Sequence, residues 1–318
     1  MEARTVVRHV AHRLPLYVFL VAILVLGAFI PNLLSGRNII NVLVQASSLG
    51  VMAIGMSVVL IGGGIDISIP ATMALGGILG AHFMRMGGNP WIGALIMVLT
   101  GLVIGCVNGY IISYLRLVPF VLTLATMYII TGLNVLLTRE ESIAITDMGY
   151  IDAILGRVGG LVPVPVLIFA VVAVVAQLAM KKSIFGSWLY GLGSSEQVSS
   201  YMGVPTQKMK FAMYAISGTL AGIAAVIISA RLISSSASMG ELSVVLNIIA
   251  SAVVGGVSIY GGTGSPLGAV VGAIIISLIT NIMNLAGVSY FVSLVIKGGI
   301  IIFVVGFDTI RRRRLAPS

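Results

Sequence analysis

The chain has 318 residues, of which 58% are hydrophobic and only 8% charged, with a formal net charge of +9. A soluble domain carries about 25% charged residues, so this composition excludes a water-soluble globule and places the chain in a lipid bilayer. Its mean hydropathy is +1.15, and on that background the cationic excess records orientation across a membrane, not affinity for nucleic acid.

In chain order, Arg4, Arg8 and Arg13 precede a first apolar run at 14–31. It is longer than the apolar region of a signal peptide and ends at Pro31-Asn32 without a small-residue cleavage site, so an uncleaved span is expected. Further runs follow at 41–61, 71–86, 91–113, 119–138, 163–180, 211–230, 244–260, 266–286 and 290–307. Crossing the hydrocarbon takes about 20 apolar residues as a helix, and the run at 71–86 is short enough to be partly re-entrant. The runs are continuous, unlike the alternating segments of a membrane β-barrel. The expected fold class is therefore an all-α polytopic membrane protein with about 10 transmembrane helices, one domain over 1–318.

Orientation follows from the cations. With the N-terminus inside, Arg4, Arg8, Arg13, Arg116, Lys181, Lys182, Lys208, Lys210 and the run Arg311 to Arg314 are internal, twelve in all. Arg37, Arg85, Arg139, Arg157 and Arg231 are external, five in all. This obeys the positive-inside rule and puts both termini in the cytoplasm. The tail 311–318 becomes a basic stop-transfer anchor near anionic lipid.

Two connections are long. The outer one, Arg139 to Val162, holds Glu140, Glu141, Asp147 and Asp152. The inner one, 181–210, contains SSEQVSSYMGVP at 194–205. Ser194 or Ser195 can cap a short helix there, which Gly203-Val204-Pro205 would end. Such a helix is either a surface bridge between two spans or a docking element for a cytoplasmic partner.

Asp66, in IGGGIDISIP, is the sole acid between Glu2 and Glu140. A carboxylate facing lipid at mid-span costs about 2.5–3.5 kcal/mol, so Asp66 belongs at a turn, inside protein or in a wet cavity. One reading is an Asx-type turn with Pro70 in the first turn of the next helix; the other is contact with a solute. VVLIGGGIDISIPATMALGG (58–77) is partly echoed by VVGGVSIYGGTGSPLGAVVG (253–272). Paired interruptions of this kind mark substrate paths in transporters, although Gly and Pro are common at any turn. Gln45, Asn108, Thr123, Asn134, Asn247, Asn281 and Asn284 are uncharged polar groups within spans. Together they suit a neutral polar solute, and singly each can simply join two helices. Lys297, inside the last run, is expected to pair with a group on another span. Cys106 with His9, His12 and His82 makes no metal-ligand cluster, and no phosphate loop or nucleophile elbow is present. No paired catalytic groups occur within the spans, so no enzyme activity and no metal are expected.

GGIDIS (63–68), VPFVLTLATMYIITGL (118–133), SGTLAGIAAVIISAR (217–231) and the segment at 253–302 together resemble the permease family of bacterial ABC importers for ribose, xylose, arabinose and related sugars. The resemblance implies a permease subunit of the bacterial inner membrane that works as a pair. A periplasmic solute-binding protein would feed it, and a separate cytoplasmic ATPase would consume the ATP; the chain itself holds no cofactor. On this resemblance Gln45, Asp66, Ser68, Thr123, Asn247, Asn281 and Asn284 are substrate-pathway candidates. Ser195, Glu196, Gln197, Met202, Gly203 and Val204 are candidates for the ATPase-coupling loop. The chain departs from the family pattern at Gln197, where Glu is usual, at Val245-Leu246-Asn247, where E-L-D is common, and at Thr131 and Pro70. The solute is therefore not carried over. The competing class is an ion- or proton-coupled secondary transporter, which needs intramembrane acid or histidine relays; these are nearly absent here.

Overall fold

The computed structural model describes residues 30–289 and 291–299 with positions 302 and 306. The expected first span at 14–31, the basic tail 311–318 and part of the last span fall outside the described residues.

Four helices come first: α1 (Gly36–Ile61), α2 (Ile69–Arg85), α3 (Pro90–Tyr114) and α4 (Pro119–Thr138). Their starts are written locally. Ser35 caps α1 by accepting from the Asn38 N–H, and Asn89 caps α3 by accepting from the Trp91 N–H. Prolines open α3 and α4, where a fixed φ suits the helix and the missing N–H is not needed.

A small cap follows. Strand β1 (Ile143–Ala144) leads to α5 (Met148–Leu155), and then β2 (Arg157–Val158) pairs with β3 (Val162–Pro163). The Trp91 ring packs edge-on against Tyr150, with centroids 5.6 Å apart. Burial pushes the Tyr150 phenol up to about 12.

Helix α6 (Val164–Lys182) returns through the bundle to α7 (Ile184–Ser194) and the short α8 (Glu196–Tyr201). The 27-residue α9 (Thr206–Leu232) runs back, and β4 (Ser234–Ser235) pairs with β1. A 3-10 turn, α10 (Leu242–Val254) and α11 (Pro266–Leu285) complete the named elements, and residues 291–299 are helical.

Among the described residues six helices are long and apolar enough to cross a membrane: α1, α3, α4, α6, α9 and α11. Two of the expected spans are shorter. Helix α2 has 17 residues and α10 has 13. The apolar run at 244–260 was expected to be helical throughout, but α10 stops at Val254. Gly255 caps it, and Gly256 adopts φ +86°, which a helix cannot continue.

Helix α1 is the axis. Of its most apolar stretch 83% is buried, against 22% for α4 and for α6. It packs on α6, α9, α10 and α11. Helices α3 and α9 approach most closely, because Gly101, Gly105 and Gly109 form one four-residue repeat facing α9. A Cβ at those positions would strike the backbone of Gly218, Tyr214 and Phe211 respectively. Membrane helices use such small-residue stripes to bring backbones together.

The connections sort to two ends. The Gly262 N–H donates to the Ile61 carbonyl at 2.9 Å, and Gly193 lies against both. Residues 62–68, the 183–205 segment and 255–265 therefore meet at one end. The β1–β4 pairing gathers that cap and the 233–241 segment at the other.

Candidate functional site

The two echoed segments share one backbone design. After α1 the N–H groups of Gly62, Gly63 and Gly64 donate to the carbonyls of Val58, Leu60 and Val59. After α10 those of Gly255, Gly256 and Val257 donate to Ser251, Val253 and Ala252, the same offsets. Gly63 has φ +80°, close to the +86° of Gly256. Gly62, Gly64 and Asp66 of the first break and Val257 and Ser258 of the second are buried, whereas Gly63 and Gly256 are exposed. The Gly262–Ile61 bond then satisfies one of the carbonyls that α1 leaves open at its end.

Asp66 stands in the first break, 2% exposed. Its Oδ1 accepts from the Ser68 N–H at 3.1 Å and the Ser68 hydroxyl at 2.6 Å, closing an Asx turn ahead of α2. Its Oδ2 accepts from the Ser217 hydroxyl on α9 at 2.8 Å. The network spreads outward: the Asn108 amide donates to Ser68 Oγ at 3.0 Å, and the Thr126 hydroxyl donates to Asn108 Oδ1 at 2.8 Å. Tyr214 donates to the neighbouring Ile65 carbonyl at 3.2 Å. Thr123 turns to its own helix, donating to Pro119 at 2.9 Å, and reaches Ile65 only at 3.5 Å. Asp66, Ser68 and Thr123 thus gather at one polar knot that ties α2, α3, α4 and α9 together.

The other pathway candidates lie elsewhere. Gln45 and Asn247 line a cavity of about 250 Å³ between α1, α2, α9, α10 and α11. Asn281 makes a reciprocal amide pair with Asn38, 2.8 and 2.9 Å, which joins α11 to α1. Asn284 is exposed. Asn134 donates to the Ala71 carbonyl at 3.2 Å. Sequence reasoning missed Ser217, the partner of Asp66, and three further residues of the cavity, Arg231, Ser277 and Thr280. Thr280 follows Ser277 by three residues, the spacing that puts two side chains on one helix face. That spacing was the available signal, but hydroxyls bonding back along a helix give the same pattern. Lys297, expected to pair with a group on another span, has no ion-pair partner among the described residues and faces the cavity too.

At the opposite end, Ser195 caps α8 by accepting from the Val198 N–H at 3.3 Å. Gly203, at φ +80°, closes α8: the Gly203 N–H donates to Ser200 and the Val204 N–H to Ser199. Lys210 pairs with Glu196 at 2.6 Å, and Glu196 is half exposed, so this exposed pair contributes little stability. Gln197 lines a groove of about 950 Å³ with Glu196, Val204, Arg116 and Lys208. The tip of α8 presents apolar groups to solvent, with Tyr201 90% and Met202 80% exposed. Behind it the Tyr190 hydroxyl donates to the Gly264 carbonyl at 2.8 Å, and burial pushes its phenol up.

The family described as "Branched-chain amino acid transport system / permease component" matches residues 38–305. The chain is 33% identical over 289 residues to the ribose import permease protein RbsC of Bacillus subtilis, covering 91% of this chain and 89% of that one. It is 33% identical to a probable ABC transporter permease protein, y4mJ, of Sinorhizobium fredii, over 92% of this chain and 87% of that one. It is 30% identical to the D-allose transport system permease protein AlsC of Escherichia coli, over 92% and 90%. No solved structure matches the chain. A buried network that ties spans together, a cavity at one end, a protruding short helix at the other and a family match over most of the length converge: this chain belongs to the permease family of bacterial ABC importers, multi-pass proteins of the inner membrane that are transport components and not enzymes themselves.

Proposed function

We propose that the chain imports a monosaccharide or similar small polyhydroxylated solute, as one of two permease subunits, driven by ATP that a separate ATPase consumes. The relatives named for ribose and D-allose support the solute class. In this reading the chain is one domain over 1–318 with ten spans and both termini in the cytoplasm. The 181–210 segment faces the ATPase, and the β1–β4 end faces a periplasmic solute-binding protein.

The observation that carries the reading is α8, a capped helix that leaves Tyr201 and Met202 largely exposed among the described residues. Aromatic and Met side chains are enriched at protein interfaces, and here Tyr201 lines the 950 Å³ groove. Uptake of labelled ribose into inside-in vesicles holding the assembled transporter tests the class. Disabling the catalytic residue of the ATPase should abolish uptake, and undiminished uptake would sink the assignment.

Gly203→Val tests the coupling role. The left-handed conformation costs an L residue about 1–2 kcal/mol, and a β-branched one more, while space is open around the missing Cβ. The variant should stay folded yet misplace α8, with uptake and transport-stimulated ATP hydrolysis both falling at least tenfold. Normal values of both would remove Gly203 from coupling.

A further inference from the structure

The cavity of about 250 Å³ holds a peculiar set of side chains. Arg231, in the last turn of α9, and Lys297, in the 291–299 segment, bring two positive charges to it. Among the described residues no Asp or Glu lines it, and their one ion pair, Lys210–Glu196, is at the other end. Gln45 and Asn247 add amides whose side chains make no hydrogen bond among the described residues. Ser277, 1% exposed, adds a hydroxyl with no hydrogen-bond partner among the described residues.

The imbalance is one of charge. The lining also holds Ser48, Ser238 and Thr280, and these hydroxyls with the two amide oxygens both donate and accept, as sugar hydroxyls do. Arg and Lys only donate, and their two positive charges are what the rest of the lining leaves unmatched. Arg231 and Lys297 are both half-buried at this cavity, with no acid lining it among the described residues, so each loses hydration. An oxyanion, which only accepts, relieves that cost through charge-assisted hydrogen bonds. Small-molecule pockets run about 300–1,000 Å³, so this one suits a solute no larger than a monosaccharide.

We propose that the cavity binds a small hydroxylated solute bearing one carboxylate or phosphate. Arg231 and Lys297 hold the oxyanion, and Gln45, Asn247 and Ser277 bond the hydroxyls. The proposal rests on the permease reading above and narrows its solute to acidic members of the class.

The test is direct binding to the full chain in phosphatidylcholine nanodiscs, measured by calorimetry. D-Gluconate is compared with D-glucose, and ribose 5-phosphate with ribose. At least one acid should bind at least tenfold tighter than its neutral partner. Arg231→Gln and Lys297→Gln should each weaken that acid at least tenfold and leave the neutral sugar unchanged. The charge-keeping Arg231→Lys and Lys297→Arg should recover part of the affinity, which separates lost charge from lost fold. Arg157→Gln, on the exposed β2, should change nothing. Equal affinity within both pairs, no binding of either acid, or equal loss of acid and neutral sugar in the Gln variants overturns the proposal. So does native mass spectrometry in which both Gln variants lose a copurified phosphatidylglycerol while no solute acid competes with it, because the cations then serve a lipid headgroup. The outcome is independent of the vesicle experiment. ATP-independent uptake would remove the permease reading without touching solute binding, and preference for neutral sugars would remove the acidic specificity without touching ATP dependence.

Discussion

Valine at position 218 should prevent the bundle from assembling. A Cβ at Gly218 would fall within contact distance of the Gly101 carbonyl and 2.8 Å from the Gly105 Cα and N. Overpacking typically costs about 1–3 kcal/mol when side chains can give way. Here the obstructing atoms are helix backbone, which cannot rotate aside, so α3 and α9 must separate along their whole crossing. Alanine should already cost about 3 kcal/mol, at or beyond the top of that range, and valine more, against a total stability of about 5–15 kcal/mol. The measurement is the thermal midpoint and the monodisperse fraction in detergent. Gly132→Ala is the internal comparison, because nothing lies within 4 Å of its missing Cβ. Replacing Gly with Ala in an open helix position gains about 0.5–1 kcal/mol. A Gly218→Val protein as stable as Gly132→Ala would show that the α3–α9 crossing does not hold the fold.

The second large effect is expected at Asp66. Alanine there strands the Ser68 N–H, the Ser68 hydroxyl and the Ser217 hydroxyl, all buried. A buried polar group left unpaired costs about 1–3 kcal/mol, and these three share one acceptor group, so a loss of about 3–5 kcal/mol is expected, in line with other broken buried charge networks. Asparagine keeps an oxygen for Ser68 and turns an amide toward Ser217, whose hydroxyl can accept instead of donate. Its cost should be about 1–2 kcal/mol, one weakened set of hydrogen bonds. Thermal unfolding of both variants beside Ser217→Ala tests the hub. If Asp66→Ala melts with the wild type, the carboxylate holds nothing together.

What the sequence disclosed here was local. The Asx turn at Asp66, Pro70 in the first turn of α2, the Ser195 cap and the stop at Gly203 are set by residues a few positions apart: the turn is one of the two readings that IGGGIDISIP allows, and Ser195 one of two candidate caps for α8. What it hid was either long-range or masked by hydropathy. Ser217 lies 151 positions from Asp66, and nothing in SGTLAG marks it as the partner. The run at 244–260 stays apolar through Gly255 and Gly256, so composition carries it past the place where backbone geometry stops α10. Arg231 enters the sequence reading as an external cation and Lys297 as one half of a pair across spans, and no one-dimensional pattern shows that α9 and the 291–299 segment bring them to one space.

Helix α9 is unbroken from Thr206 to Leu232. At 1.5 Å per residue, Thr206 and Arg231 stand about 38 Å apart on one rod. Gly218 sits close to its midpoint, where α9 meets Gly101 and Gly105 of α3 without side chains between. The α3 contact runs along α9 from Phe211 to Gly222, so the two helices form one stiff strut between the α8 end and the cavity.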